Sequence, residues 1–250
     1  MSREYDFKGF DRIRVSGAFD VTIKRSDSFK VSISADILKP VSVEKTGDTL
    51  SISLPWYYYT WGFLTGWKRA LAQISLPELR EIRLTGAVVG ETGDFSTTHD
   101  FSLSLAGASR VELGSIDCGD AVIKLAGASK EDFKSIKAAK LDLEVVGASR
   151  IKGELSVAGD ARIKMAGASQ VELNGQAGAL KLDVAGAGRA SLSELSVQSA
   201  RVKLVGASRA VVKVAGRLDA DVTGASDLSW VGNPVMGDIK SAGASQLHRA

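Results

Sequence analysis

The most regular feature of this sequence is an alternation of apolar and polar residues that precedes a recurring Gly-Ala pair. In LAGASRVEL (residues 105–113) and its copies, the positions four and two before the glycine are apolar in nearly every case, and the position between them is polar in most. Side chains that alternate with a period of two lie on opposite faces of a β-strand. Each repeat therefore predicts a strand with one face toward a core and the other toward solvent.

The Gly-Ala pair returns at intervals of 18 to 21 residues between residues 86 and 243. A near-constant interval of this length is typical of a solenoid. A second short strand follows each pair, as in SRVEL, SRIKG and SQVEL. The pattern predicts an all-β fold, a single-stranded right-handed parallel β-helix of about eight or nine coils of ~20 residues, with about 4.8 Å between coils.

The repeated Gly-Ala-Ser triplet has two interpretations, a catalytic loop copied many times or a corner that every coil must make. The residue types favour a corner, because glycine adopts backbone angles that a side chain forbids, alanine fits into a tight bend, and stacked serines can hydrogen-bond the next coil. Val88 and Gly188 interrupt the serine column. The predicted structural corner comprises Gly107, Gly127, Gly147, Gly167, Gly186, Gly206, Gly224 and Gly243 with Ser109, Ser129, Ser149, Ser169 and Ser208.

The polar position three before each corner glycine forms a column of alternating charge. Stacking in register would place each charge about 5 Å from opposite charges in the neighbouring coils. Exposed pairs of this kind contribute only ~0.2–1 kcal/mol each, but a slip by one coil would bring like charges together. We call this column the charge ladder; it consists of Lys124, Glu144, Lys164, Asp183, Lys203, Asp221 and Lys240.

A partly basic column follows the serines. It is either a solvated edge of the solenoid or a weak site for acidic glycans or carboxylates. We call it the basic column; it consists of Arg110, Lys130, Arg150, Gln170, Arg189 and Arg209.

The N-terminal part follows the repeat loosely and carries an aromatic insert. We predict two regions of one continuous domain: residues 1–85 start and cap the helix, and residues 86–250 form the regular coils. KVSISA (30–35) and TLSISLP (49–55) read as strands, with a hairpin-like turn at SVEKTGD (42–48). The insert at 56–67 either caps the fold or contacts a ligand or partner, since Trp and Tyr dominate interfaces and stack on sugars. Its candidate contact residues are Trp56, Tyr57, Tyr58, Tyr59, Trp61, Phe63 and Trp67.

Composition narrows the functional classes. Lys and Arg exceed Asp and Glu by only three, 32 against 29, and both signs are spread evenly, which argues against a nucleic-acid partner. The apolar runs are too short for a transmembrane helix. Cys118 is the only cysteine, and the two histidines, His99 and His248, are far apart, so the sequence predicts no metal site and no cofactor. SREYDFKGF follows Met1 directly, which indicates a cytosolic protein or a mature form with an added start methionine.

Three segments together resemble a known family. FDRIRVSGAFDVTIKR, ISLPELREIRLTGA and the ladder of GAS coils are similar to the GIN domain, the head domain of auto-transporter adhesins. The resemblance extends over essentially the whole chain. It implies a secreted, periplasmic or cell-surface β-helical protein, typical of Bacteroidetes and made with a signal sequence that is absent from the chain shown. It transfers no catalytic residue.

The resulting function hypotheses fall into three classes. The first is a non-enzymatic envelope or secreted protein, an adhesin-like module that binds a surface glycan or protein. The second is a structural scaffold that forms homo-oligomers through its coil ends or the aromatic insert. The third is a polysaccharide lyase or hydrolase, which would need clustered carboxylates. The nearest such cluster is Asp219, Asp221 and Asp238, and the neighbouring Arg217 and Lys240 favour ordinary ion pairing there.

Overall fold

The alternation along the chain produces a parallel β-solenoid of about eight turns, which confirms the predicted fold class. The structure is a computed structural model that describes residues 1–35, 40–55 and 69–250. Within these residues every regular element is a β-strand, 23 in all. We number the strands β1 to β23 in chain order.

One face of the solenoid, face A, contains the strands that end at a corner glycine and, beside the first of them, one strand that ends at Ser53. Its strands are β2 (Arg12–Gly17), β6 (Thr49–Ser53), β8 (Glu81–Gly86), β11 (Phe101–Gly107), β13 (Ala121–Gly127), β15 (Leu141–Gly147), β17 (Ala161–Gly167) and β22 (Val235–Gly243). Three longer strands begin on the second face, described below as face B, and continue into face A: β18 (Gln170–Gly186), β19 (Arg189–Gly206) and β20 (Arg209–Gly224).

The second face, face B, contains the strands that follow each corner, together with the first parts of β18, β19 and β20. These strands are β3 (Phe19–Arg25), β7 (Ala70–Leu76), β9 (Val89–Thr92), β12 (Arg110–Asp117), β14 (Lys130–Ala138), β16 (Arg150–Val157), β21 (Asp227–Val231) and β23 (Gln246–Arg249). The two-residue strand β10 (Phe95–Ser96) pairs with the end of β12.

The core runs along the solenoid axis because the strands stack in register. Leu103 lies beside Ile123, which lies beside Leu143, and the same column continues through Ile163 and Leu182. All five side chains are buried. Residues one turn apart therefore occupy the same environment, which explains why the alternation repeats with the length of the coil.

Antiparallel strands close the N-terminal end. On face A, β5 (Ser42–Thr46) pairs antiparallel with β6; on face B, β4 (Lys30–Ser34) pairs antiparallel with β7, and β1 (Ser2–Tyr5) with β4. The expected turn at 42–48 is therefore mostly a strand, and only the residues around Gly47 make the turn. The division of the domain into a capping region, residues 1–85, and regular coils, residues 86–250, stays a prediction.

The stacking order at this end differs from the chain order. Strand β2 lies between β6 and β8, so residues 49–53 form the turn outside residues 12–17. Strand β3 lies in the same way between β7 and β9.

Candidate binding surface

The aromatic insert, which we predicted as the main contact site, lies outside the described residues. Trp56, Tyr57, Tyr58, Tyr59, Trp61, Phe63 and Trp67 all belong to it. The site described below is therefore built from the corner and the two faces that meet there.

Every predicted corner glycine has a positive φ. The angle is 88° at Gly167, and the others lie between 81° and 108°. A Cβ atom on Gly167 would lie 2.6 Å from the carbonyl oxygen of Gly147, one turn away. The corner thus needs glycine for its backbone angle and for the close approach of the next turn. The glycines are Gly107, Gly127, Gly147, Gly167, Gly186, Gly206, Gly224 and Gly243.

The serines of the corner point inward and connect successive turns. Ser109, Ser129, Ser149, Ser169 and Ser208 are all buried. The Ser149 hydroxyl lies 3.2 Å from the carbonyl oxygen of Gly127 in the preceding turn, to which it can donate, and it accepts the backbone N–H of Ser129 at 3.3 Å. Each of the five hydroxyls lies within hydrogen-bond distance of the corner glycine carbonyl oxygen of the preceding turn, so the buried polar group is satisfied and successive turns are joined.

The alanines do not fill the bend, contrary to our expectation. Ala108, Ala128, Ala148 and Ala168 are exposed, whereas the serine after each of them is buried. The reason is geometric: after the positive-φ glycine the chain turns, and the second residue along is the one that faces the core. Gly188 occupies this inward position, and a Cβ atom there would lie 2.8 Å from Cγ1 of Val184.

The charge ladder stacks in register on the outside of face A. Lys124 lies beside Glu144, then Lys164, Asp183, Lys203, Asp221 and Lys240 follow one per turn. Among the described residues these neighbours form no ion pair within 4 Å across turns; Asp183 instead lies 3.9 Å from Lys181 of its own strand. The ladder is therefore an alignment of charge with weak attraction between turns.

The basic column lies at the edge of face B, directly beside the exposed alanines. Arg110, Lys130, Arg150, Gln170, Arg189 and Arg209 stack one per turn. Lys130 pairs with Asp132, Arg209 lies 3.2 Å from Asp227, and Arg150 donates to Gln170. Arg110 and Arg189 have no ion-pair partner in the described parts of the chain.

An open groove of about 260 Å³ runs along this edge. It is lined by the exposed Ala128, Ala148 and Ala168 and by Lys130, Arg150 and Gln170. We call the alanine and glycine ridge together with the basic column the corner surface. It combines a flat apolar strip with a row of cationic and amide donors, repeated once per turn.

The groups that could serve catalysis are paired or isolated. Asp219 accepts three hydrogen bonds from Arg217, at 3.0, 3.3 and 2.8 Å, and one from the backbone N–H of Asp238 at 2.9 Å. The Arg217 hydrogen bond is the main reason that the pKa of Asp219 is lowered. No group of three metal-binding side chains occurs in residues 1–35, 40–55 or 69–250.

Three further titratable groups were candidates on sequence grounds: His99, Cys118 and His248. The His99 ring lies 2.7 Å from Glu78, which also accepts from Thr97. Burial, followed by the charge of Asp117, raises the pKa of the Cys118 thiol to about 11. His248 is half exposed and lies 3.4 Å from Asp227.

Sequence reasoning missed one unusual group, Glu131. It lies in the inward column of face B between Val111 and Ile151 and is completely buried. Neither carboxyl oxygen has a hydrogen-bond partner among the described residues. Burial, with a smaller effect of the Asp132 charge, raises the pKa of Glu131 well above its ordinary value. The signal was available, because position four after each corner glycine is apolar or small in the other regular turns.

Comparison with known families identifies the family of this chain. A model described as "Putative auto-transporter adhesin, head GIN domain" matches twice, at residues 9–132 and 121–234. The chain belongs to this GIN domain family. The resemblance noted from the sequence is thereby confirmed, and the two matches together span both the N-terminal part and most of the regular turns.

Solved structures share the fold of this GIN domain protein at low identity. A putative adhesin from Parabacteroides merdae has a TM-score of 0.70 and 14% identity, with 100% of this chain and 95% of that chain covered. A putative adhesin from Parabacteroides distasonis has a TM-score of 0.68 and 18% identity, with coverage of 100% and 96%. A putative lipid binding protein from Parabacteroides distasonis also has a TM-score of 0.68, with 16% identity and the same coverage.

Two further searches gave negative results. The comparison with curated proteins found no match. In the described part of the chain, no helix has the length and the apolar character needed to cross a bilayer.

Proposed function

We propose that this GIN domain protein is a non-enzymatic, adhesin-like binding module that holds an extended, repeating ligand along the corner surface. The observation that carries the proposal is the register of the stack. It places an exposed alanine and a position of the basic column at every turn from Arg110 to Arg209, and five of these six positions are Lys or Arg. A surface with a fixed repeat suits a polymer with a repeat of its own.

The physical basis is multivalency. Turns of the solenoid are about 4.8 Å apart, so an extended polymer on the ridge would meet an equivalent set of groups at each turn. Each contact contributes little by itself because it is exposed. Several contacts on one rigid surface add up without new ordering cost for the protein, and the overall affinity exceeds that of any single contact.

The charge of the surface indicates the class of ligand. Arginine binds carboxylates through two parallel hydrogen bonds, and Arg110 and Arg189 have no ion-pair partner among the described residues. The alanine ridge offers the flat apolar surface on which a sugar face can rest. We therefore propose a glycan that carries carboxylate groups as the ligand of the corner surface.

Three observations support a binding role in preference to catalysis. The acidic residues closest to a catalytic cluster are engaged by Arg217 and a backbone N–H group. The grooves at the surface are open, and their walls carry both signs of charge, as at Asp142 and Arg162. The family and two of the similar structures are described as putative adhesins. For the same reason we propose a location outside the cytoplasm, secreted or on the cell envelope.

The aromatic insert is a second proposed contact, on sequence grounds alone. Seven of the sixteen aromatic residues of the chain fall within residues 56–67, and such residues contribute strongly to binding. The variant Trp56→Ala/Trp61→Ala/Trp67→Ala tests this contact. Unchanged binding of every glycan and protein ligand by the variant would remove the insert from the site.

The corner surface is tested with the variant Arg150→Ser/Arg189→Ser on an array of acidic and neutral glycans. At about 0.7 kcal/mol for each lost contact, within the range of exposed pairs, affinity for a carboxylated glycan should fall about tenfold. The matched control, Lys124→Ser/Lys164→Ser, removes the same charge from face A and should bind normally.

Two results would contradict the proposal. Equal loss in the variant and the control would mean that only the net charge matters. Cleavage of any arrayed polysaccharide, abolished by Asp219→Asn, would establish the enzymatic alternative.

A further inference from the structure

The two ends of the solenoid are finished differently in the described chain. At the N-terminal end, antiparallel strands cover the parallel stack on both faces. At the C-terminal end the last strands are β22 and β23, which pair only with β20 and β21 on their inner sides. Their outer edges therefore present backbone N–H and C=O groups that can pair with another strand.

The last turn also exposes residues that belong to the core columns. Met236 and Ile239 stack on the buried residues Leu218 and Ala220, yet they are 43% and 42% exposed. In the described part of the chain, β22 has a neighbouring turn on the β20 side and none on the other. An apolar surface at an open strand edge is a typical protein interface.

The charges on β22 indicate which strand fits this edge. Asp238 and Lys240 flank Ile239, and both are exposed. If a second β22 pairs antiparallel with the first about a two-fold axis at Ile239, each Asp238 faces the partner's Lys240 and each Ile239 faces its own copy. An antiparallel strand is also what this chain uses to finish its N-terminal end.

We propose that the C-terminal face of the solenoid is a homodimer interface, in which two copies of this chain pair through β22 in antiparallel register around Ile239. The interface is isologous, as expected of a two-fold dimer. It brings the exposed apolar side chains of the two last turns into contact. It also provides hydrogen-bond partners for the backbone N–H and C=O groups at the outer edges of both β22 strands. The proposal goes beyond the binding function and does not depend on the identity of the ligand.

Charge reversal tests the register directly. Asp238→Lys and Lys240→Asp each place like charges opposite one another twice per dimer, and each should weaken the dimer at least tenfold. A mixture of the two variants should form heterodimers, because both contacts then join opposite charges. The double variant Asp238→Lys/Lys240→Asp should recover the dimer. Lys164→Asp, which changes the same column far from the end, is the matched control.

Mass in solution is measured by sedimentation and by size exclusion with light scattering at high micromolar concentration. A wild-type chain that remains monomeric would overturn the proposal, as would dimers that respond equally to the Lys164→Asp control. A dimer that none of the β22 substitutions affects would place the interface elsewhere and would also overturn it.

Cross-linking provides a second readout that does not depend on charge. Directly opposite residues on antiparallel strands have Cα atoms about 4.5–5.5 Å apart, which is within the range for a disulfide. In a Cys118→Ala background, Ile239→Cys should form a covalent dimer on mild oxidation, whereas Ser199→Cys should not. The corner variant Arg150→Ser/Arg189→Ser should still dimerise, so failure of the dimer and failure of the glycan proposal are separate results.

Discussion

The buried carboxyl group of Glu131 predicts an unusual dependence of stability on pH. The fold favours the protonated form of this carboxyl group, because burial without a hydrogen-bond partner raises its pKa well above the ordinary value. The unfolded chain releases the proton above about pH 4.3. The contribution of Glu131 to stability is therefore most favourable below that pH and falls as the pH rises toward the folded-state pKa, by up to about 1.4 kcal/mol per pH unit.

The replacement Glu131→Val removes two unfavourable contributions to the free energy of folding. One is the burial of a polar group without a partner, and the other is the protonation of the carboxyl group at pH values where the unfolded chain is ionised. Valine occupies the equivalent position at Val111 in the preceding turn and at Val171 two turns further on, so it suits the column. Removing an unpartnered buried polar group should contribute about 1–3 kcal/mol. The difference in free energy of unfolding between the variant and the wild type should then grow by up to about 2.7 kcal/mol between pH 5 and pH 7.

Urea titrations of the wild type, Glu131→Val and Glu131→Gln at several pH values measure this effect. Glutamine keeps the shape and polarity of the side chain but does not titrate, so this variant separates the pH dependence from the cost of a buried polar group. If the wild type and both variants show parallel pH profiles, the carboxyl group is solvated or paired in solution and the reasoning is wrong.

Three other predictions follow from the corner and the core. Gly167→Ala should destabilise the fold by more than about 2 kcal/mol, because its φ is 88° and its Cβ would lie 2.6 Å from a carbonyl oxygen; thermal unfolding measures it. Ser149→Ala should cost about 1–2 kcal/mol because it removes hydrogen bonds between turns, whereas the exposed Ala148→Ser should be nearly neutral; equal effects would contradict the inward serine. At pH 8 the Cys118 thiol, with a pKa of about 11, should react roughly two hundredfold more slowly with iodoacetamide than an ordinary thiol, and urea should restore the rate.

Much of the corner surface was predictable from the sequence, because its residues repeat with the coil. The glycine at each corner, the serine two residues later and the basic position after it could all be aligned by counting. The orientation of the alanine was not predictable in this way. It depends on the angle through which the chain turns after the glycine, and only the three-dimensional path shows that serine, not alanine, faces the core.

The sequence by itself determined the period, the strand faces and the register of this protein. A coil of about twenty residues with alternating side chains can bury its apolar face only by stacking on copies of itself. Where the repeat is imperfect, only the tertiary structure determined the order of the strands and the neighbours of individual side chains. It placed β2 between β6 and β8, enclosed Glu131 between two apolar neighbours, and set Gly153 beside the ring of Phe133. These features depend on contacts between segments that are far apart in the sequence. A pattern of residue types along the chain does not give the distances between such segments.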